Sequence, residues 1–203
     1  MHNMYKIYMK EWGPVPTRTI GDTVDMPNSP EGIKLMMRGF GVNIHESVNR
    51  DLERLYHNFD HVLSLYERAE LLGFEYDEAL DYAILFHDVR YSAARLGNAS
   101  NELLSIVEAI TAMTYACVST EIILEAARHI EKTIRHSFEG DNRIVILDLF
   151  GFAGTHDEIA IDNKNVLCEA KLLYHEVDAD TIRMKNRQFL WDLYERLDTE
   201  LRE

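Results

Sequence analysis

Between Leu52 and Tyr66 the apolar side chains Leu52, Leu55, Tyr56, Phe59, Leu63 and Tyr66 recur three and four positions apart, the spacing of one helix face rather than the alternation of a strand. Similar spacing continues to the end of the chain. Breaks are expected at Gly73, around Gly97–Asn98, at Gly140-Asp141-Asn142 and near Gly154. The pattern predicts helices at about 46–72, 77–88, 99–115, 119–137, 142–151, 157–176 and 178–201. Pro14, Pro16, Pro27 and Pro30 all fall within the first thirty residues. Residues 1–45 therefore read as an extended or irregular arm with a short helix and a short strand at Tyr5–Lys10. The expected fold is all-α, a helical bundle formed as one domain by residues 46–203, without internal repeats or a Ser/Gly linker.

Composition narrows the partners. A chain of 203 residues, 46% of them hydrophobic, can bury one sizeable core. With 35 acidic against 21 basic residues the net charge is −14, which opposes binding to a nucleic acid polymer. Cys117 and Cys168 stand far apart, outside any zinc-finger or CxxC spacing, as inert thiols of a reducing compartment would. The first residues lack a basic segment followed by an apolar run, and no stretch approaches the roughly 18 apolar residues of a membrane span. A soluble, cytoplasmic protein is expected, with a homo-oligomer left open.

Six stretches carry candidate chemistry. In Tyr56-His57-Asn58-Phe59-Asp60-His61 two imidazoles stand four positions apart, which in one helix puts them on nearly the same face, as ligands or as partly exposed histidines. The run Ala79-Leu80-Asp81-Tyr82-Ala83-Ile84-Leu85-Phe86 leads into His87-Asp88. A buried carboxylate needs compensation, which a divalent cation, a salt bridge or a helix terminus could supply. Asp148 interrupts the apolar run Ile144-Val145-Ile146-Leu147-Asp148-Leu149-Phe150, so it is expected to face inward, held by a cation, a histidine or backbone donors. Asn101 and Glu102 open a helix and would cap it, orient His57 or take part in catalysis. His136, with His129 seven residues earlier, could complete a second metal site, contact a substrate phosphate or simply be partly buried. Arg183-Met184-Lys185-Asn186-Arg187 is the densest positive charge, a phosphate contact or a solvated helix face.

A histidine, then His-Asp, then a distant Asp on successive helices resembles the H…HD…D metal signature of the HD phosphohydrolase superfamily. Tyr56-His57-Asn58 followed by His61 is similar to the YHNxxxH element of cyclic-nucleotide phosphodiesterases, here in the YHNxxH form of small bacterial and phage HD proteins. Those proteins also resemble this chain in Phe86-His87-Asp88-Val89-Arg90-Tyr91, Asn101-Glu102, Thr133-Ile134-Arg135-His136 and Asp148. The likeness runs over about 150 residues and excludes the first fifty. It implies an HD-domain helical bundle in which His61, His87, Asp88 and Asp148 bind a divalent ion (Mn, Mg, Fe, Co or Zn).

On this resemblance a metal-bound hydroxide attacks phosphorus, Asp88 accepts a proton, His57 donates one to the leaving oxygen, and Glu102 assists. The substrate would be a small phosphorylated molecule, a nucleotide in first place. Two alternatives stand beside hydrolysis: an HD-type oxygenase holding two irons, for which His136 and His129 would supply extra ligands, and a nucleotide sensor without turnover.

Overall fold

The computed structural model describes residues 54–91, 100–153 and 156–200. Among them are seven α-helices and no strand: α1 (Phe59–Leu71), α2 (Glu78–Phe86), α3 (Asn101–Tyr115), α4 (Thr120–Thr133), α5 (Arg143–Ala153), α6 (His156–Leu173) and α7 (Ala179–Glu200). The all-α class predicted from the apolar spacing is the class observed. The arm at 1–45, with its strand at Tyr5–Lys10 and its short helix, lies outside the described residues, as do the breaks at Gly97–Asn98 and Gly154.

Side-chain caps set where the helices begin. Asn58, Asp77, Ser100 and Ser119 each accept the backbone N–H of the residue three positions on, at His61, Leu80, Leu103 and Ile122. The helix predicted to start at 46 therefore does not run through Arg54–Asn58. Asn58 is its cap, and α1 starts only at Phe59. Three helices end on a left-handed residue, Gly73 (φ 71°), Cys117 (φ 56°) or His136 (φ 48°). The next residue returns its N–H to a carbonyl five positions back in each case: Phe74 to Ala69, Val118 to Met113 and Ser137 to Lys132, all at 3.0 Å. This termination stops α4 at Thr133, short of the predicted residue 137. Gly73 adopts its angle freely, whereas at Cys117 and His136 a side chain is held in a conformation costing about 1 kcal/mol.

Helix α2 is the hub. Every residue from Ala79 to Phe86 is buried, and the helix packs against α1, α3, α4 and α5. Val62, Leu65 and Ala69 of α1, Ala109 and Met113 of α3, Ala126 and Ile130 of α4, and Ile144 and Leu147 of α5 complete the core. Each of the buried Val, Leu, Ile and Met side chains contributes about 1.5–3 kcal/mol of transfer free energy. The buried carboxylate of α2, Asp81, is accommodated by the hydroxyls of Tyr66 (2.7 Å) and Tyr76 (3.2 Å). Helix α6 packs on α5, and α7 on α6. No described helix is long and apolar enough to cross a membrane.

The starts of α2 and α5 are clamped together. Arg143 donates to Asp77 (2.9 Å), the cap of α2, and to Asp141 (2.6 Å). His129 of α4 is buried beside this clamp, its Nε2 3.7 Å from Asp141 Oδ2, and neither ring nitrogen has a hydrogen-bond partner. Burial lowers its pKa from 6.5, opposed by Asp141 and Asp77 and reinforced by Arg143 and Lys132.

Two outcomes follow from this packing. Ile84→Ala, at a fully buried position of the hub, should cost about 2–5 kcal/mol in urea denaturation; a loss below 1 kcal/mol would contradict the central role of α2. Because the folded protein resists protonating His129, the unfolded chain binds more protons in the window below the ordinary pKa of 6.5. Stability should therefore fall as pH drops through that window, by at most about 1.4 kcal/mol per pH unit from this group. His129→Leu should flatten the slope between pH 7 and 5, and an unchanged slope would show that His129 is not its source.

Candidate metal centre

The centre is assembled from the first turn of α1, the turn after α2 and the middle of α5. His61 is the third residue of α1, and the Asn58 cap on its own N–H (3.0 Å) fixes where its side chain leaves the helix. Helix α2 ends at Phe86, so His87 and Asp88 occupy the following turn, closed by the Val89 N–H on the Phe86 carbonyl (3.1 Å). The His87 Nδ1–H donates to the Ile84 carbonyl at 2.9 Å, which leaves Nε2 as the coordinating atom. Helix α5, packed against α1 and α2, brings in Asp148.

His87 Nε2 lies 3.0 Å from Asp88 Oδ2 and 3.4 Å from His61 Nε2. His61 Nε2 is 3.5 Å from Asp88 Oδ2 and 3.3 Å from Asp148 Oδ1. The ligand atoms of His61, His87, Asp88 and Asp148 all lie within 4.8 Å of one another, and this buried group could hold a metal ion. Two imidazole nitrogens with two carboxylates suit a first-row divalent cation.

The electrostatics point the same way. Burial opposes charge on all four groups, and for His61 it prevails, lowering the pKa despite Asp148 and Asp88. At His87 burial is outweighed by Asp88 and Asp148, which raise the imidazole to about 9. Burial would also raise the two carboxyls, but His87, His57 and His61 hold Asp88 far below its usual range. His136, His61 and His87 do the same for Asp148. Two ionised carboxylates against one protonated imidazole leave an excess negative charge in a largely buried site, which a cation would neutralise.

His57 is separate from that set. The sequence reading put it on one helical face with His61; instead it precedes α1, because Asn58 is the cap. Its Nδ1 meets Glu169 Oε1 of α6 at 2.5 Å, and Glu169 Oε2 accepts the backbone N–H groups of Tyr56 (2.6 Å) and His57 (3.1 Å). Although burial would raise Glu169, these hydrogen bonds hold it below its usual range and therefore ionised. The His57 ring stacks on Tyr91 at 3.7 Å and lies 6.2 Å from the His61 ring, centroid to centroid. Burial, with Asp88, Glu169 and Glu102 nearby, raises the Tyr91 phenol and keeps it neutral. Buried Arg54 ties the two segments together through the carbonyls of Asp88 (3.1 Å), Tyr91 (2.8 Å) and His57 (3.3 Å).

Sequence reasoning missed Glu169 and Arg54. Glu169 carries the signal that singled out Asp148, a carboxylate interrupting an apolar run, here Val166-Leu167-Cys168 and Ala170. Arg54 carries none, since its partners are backbone carbonyls.

The other candidates divide. His136 Nε2 stands 3.5 Å from Asp148 Oδ2, the oxygen not turned to His61. Glu102 is half-buried in the first turn of α3 and lies outside the ligand group. Ser100, rather than Asn101 or Glu102, caps that helix, since its side chain is the one that reaches the Leu103 N–H. His129 sits beside the cap of α2, at the opposite end of that helix from His87. Of the basic cluster, Arg183, Met184, Lys185 and Arg187 are exposed on α7, with Arg183 paired to Asp180 at 3.1 Å, as on a solvated face. Cys117 and Cys168 are free and exposed.

Comparison with known proteins finds no family model, no curated protein and no solved structure that matches the chain.

A cation bound by this group must displace the proton that His87 holds up to about pH 9. Affinity should therefore rise with pH and level off above about 9. Calorimetric titration with Mn²⁺ near neutral pH, in buffers of different ionisation enthalpy, should report about one proton released per ion; no release would contradict the assigned charge state.

Proposed function

We propose that the chain is a metal-dependent phosphohydrolase of the HD superfamily that cleaves a phosphate ester or phosphodiester of a small nucleotide. One observation carries this reading: four donor atoms converge on a point, while a fifth side chain, His57, stands beside them outside the ligand group and is tethered to an ionised carboxylate. A purely structural site would need only the four. The motif order that resembles the superfamily and the absence of any charge excess suited to a polyanion add support.

A divalent cation in this site would polarise a phosphate oxygen and lower the pKa of water. His61, His87, Asp88 and Asp148 would hold it. Asp88, kept ionised by the imidazoles around it, would be the group to accept the proton of an attacking water. Glu169 takes up Nδ1 of His57 and the Tyr91 ring fixes the imidazole plane, so Nε2 is the atom left to donate a proton to the leaving oxygen. Glu102, near the phenol of Tyr91, would act through that ring.

A second reading, an oxygenase with two irons, draws on the His136 contact with the outer oxygen of Asp148, since His136 would be an additional imidazole ligand for a second iron.

Metal analysis of the purified protein, with a screen of nucleoside monophosphates, deoxynucleoside triphosphates and cyclic nucleotides in Mn²⁺, Mg²⁺, Co²⁺ or Fe²⁺, tests both. Phosphate release or ring opening supports the hydrolase, and bound iron with oxygen-dependent turnover and no hydrolysis supports the second reading. Asp88→Ala should lose metal and activity with its circular dichroism intact; turnover surviving in that variant would sink the assignment. His57→Ala should retain metal and lose about 10²–10⁴-fold in kcat, and loss of metal instead would show it to be a ligand.

A further inference from the structure

His136 occupies a left-handed position where glycine would close the α4 terminus without strain. What holds it there comes from α7. Arg196 Nη1 donates to the carbonyls of Arg135 (2.8 Å) and His136 (3.2 Å), and Phe189 meets the His136 ring edge-on at a centroid distance of 5.0 Å. Phe189 and Arg196 are seven residues apart on α7, so two turns of one face grip the same loop.

We propose that Arg196 is a positioning residue of the metal centre. By holding both carbonyls it fixes the turn that presents His136 Nε2 to Asp148 Oδ2, and the anchored carboxylate then keeps Oδ1 directed at His61. A carboxylate free to rotate about its terminal bond would swing Oδ1 out of the ligand group, so the grip of α7 on a loop determines how well a ligand on α5 is aimed. The inference rests on the metal reading of the four-residue centre and adds to it a source of control in the C-terminal helix.

The test uses the full chain carrying Arg196→Met, Arg196→Lys, His136→Ala and the Arg196→Met/His136→Ala double substitution, each titrated with Co²⁺ and followed by visible absorption. Arg196→Met should weaken Co²⁺ binding about tenfold and alter the visible bands, with Arg196→Lys intermediate because it retains a donor. The double variant should bind no more weakly than His136→Ala, since both substitutions break one path. In the metal-free protein the nuclear Overhauser contact between the His136 and Phe189 rings should disappear in Arg196→Met. Affinity and spectrum unchanged in Arg196→Met, or a double-variant loss equal to the product of the two single losses, would overturn the proposal. Should Arg196→Met fail to fold, Arg196→Lys decides, and wild-type Co²⁺ binding in it overturns the proposal. Absence of Co²⁺ binding by the unsubstituted protein would remove the metal reading itself.

Discussion

Two ionised carboxylates, Asp88 and Asp148, share two buried imidazoles, and the cost of holding that charge away from water organises the molecule around it. The protonated His87 offsets only part of it. Three of the four ligands sit at element ends, His61 in the first turn of α1 and His87 and Asp88 in the turn after α2, while Asp148 comes from the middle of α5. The turn after α2 frees the backbone to deliver His87 and Asp88 together, and the Ile84 carbonyl takes the one ring nitrogen not needed at the centre. Helix α2 can end in such a cluster because its eight preceding residues are buried and bind it to four neighbours. A rigid hub with a charged tip is an arrangement that keeps donor atoms converged.

The remaining helices serve that tip from different directions. Helix α6 sends Glu169 to His57, tethering an imidazole that stays outside the ligand group. Helix α7 acts at one remove, through the turn that carries His136. The segment before α1 contributes the side chains of Arg54 and His57 and also backbone: the Tyr56 and His57 N–H groups go to Glu169 and the His57 carbonyl to Arg54, so these groups are satisfied outside a helix. Buried His129, beside the Arg143 clamp at the other end of α2, belongs to the packing rather than to the centre. Two histidines of one helical terminus region thus have unrelated environments, and only their partners distinguish them.

Apolar spacing alone determined the helical class and the approximate extent of α2 through α7, because burial of one face dictates a period of 3.6 wherever a helix packs on a core. The ligand candidates were legible for a related reason: a carboxylate or imidazole within an apolar run must be compensated, and His87, Asp88 and Asp148 all announce themselves that way. Tertiary structure decided the rest. That His57 lies outside α1 depends on Asn58 finding the His61 N–H while the Tyr56 and His57 N–H groups turn to Glu169, more than a hundred residues away in the chain. That His136 reaches Asp148 depends on a left-handed turn which residue type disfavours and which Arg196, sixty residues on, holds in place. Periodicity reports what each segment must bury, a property of the segment itself. Which polar group satisfies which depends on distances between segments, and those exist only once the helices have packed.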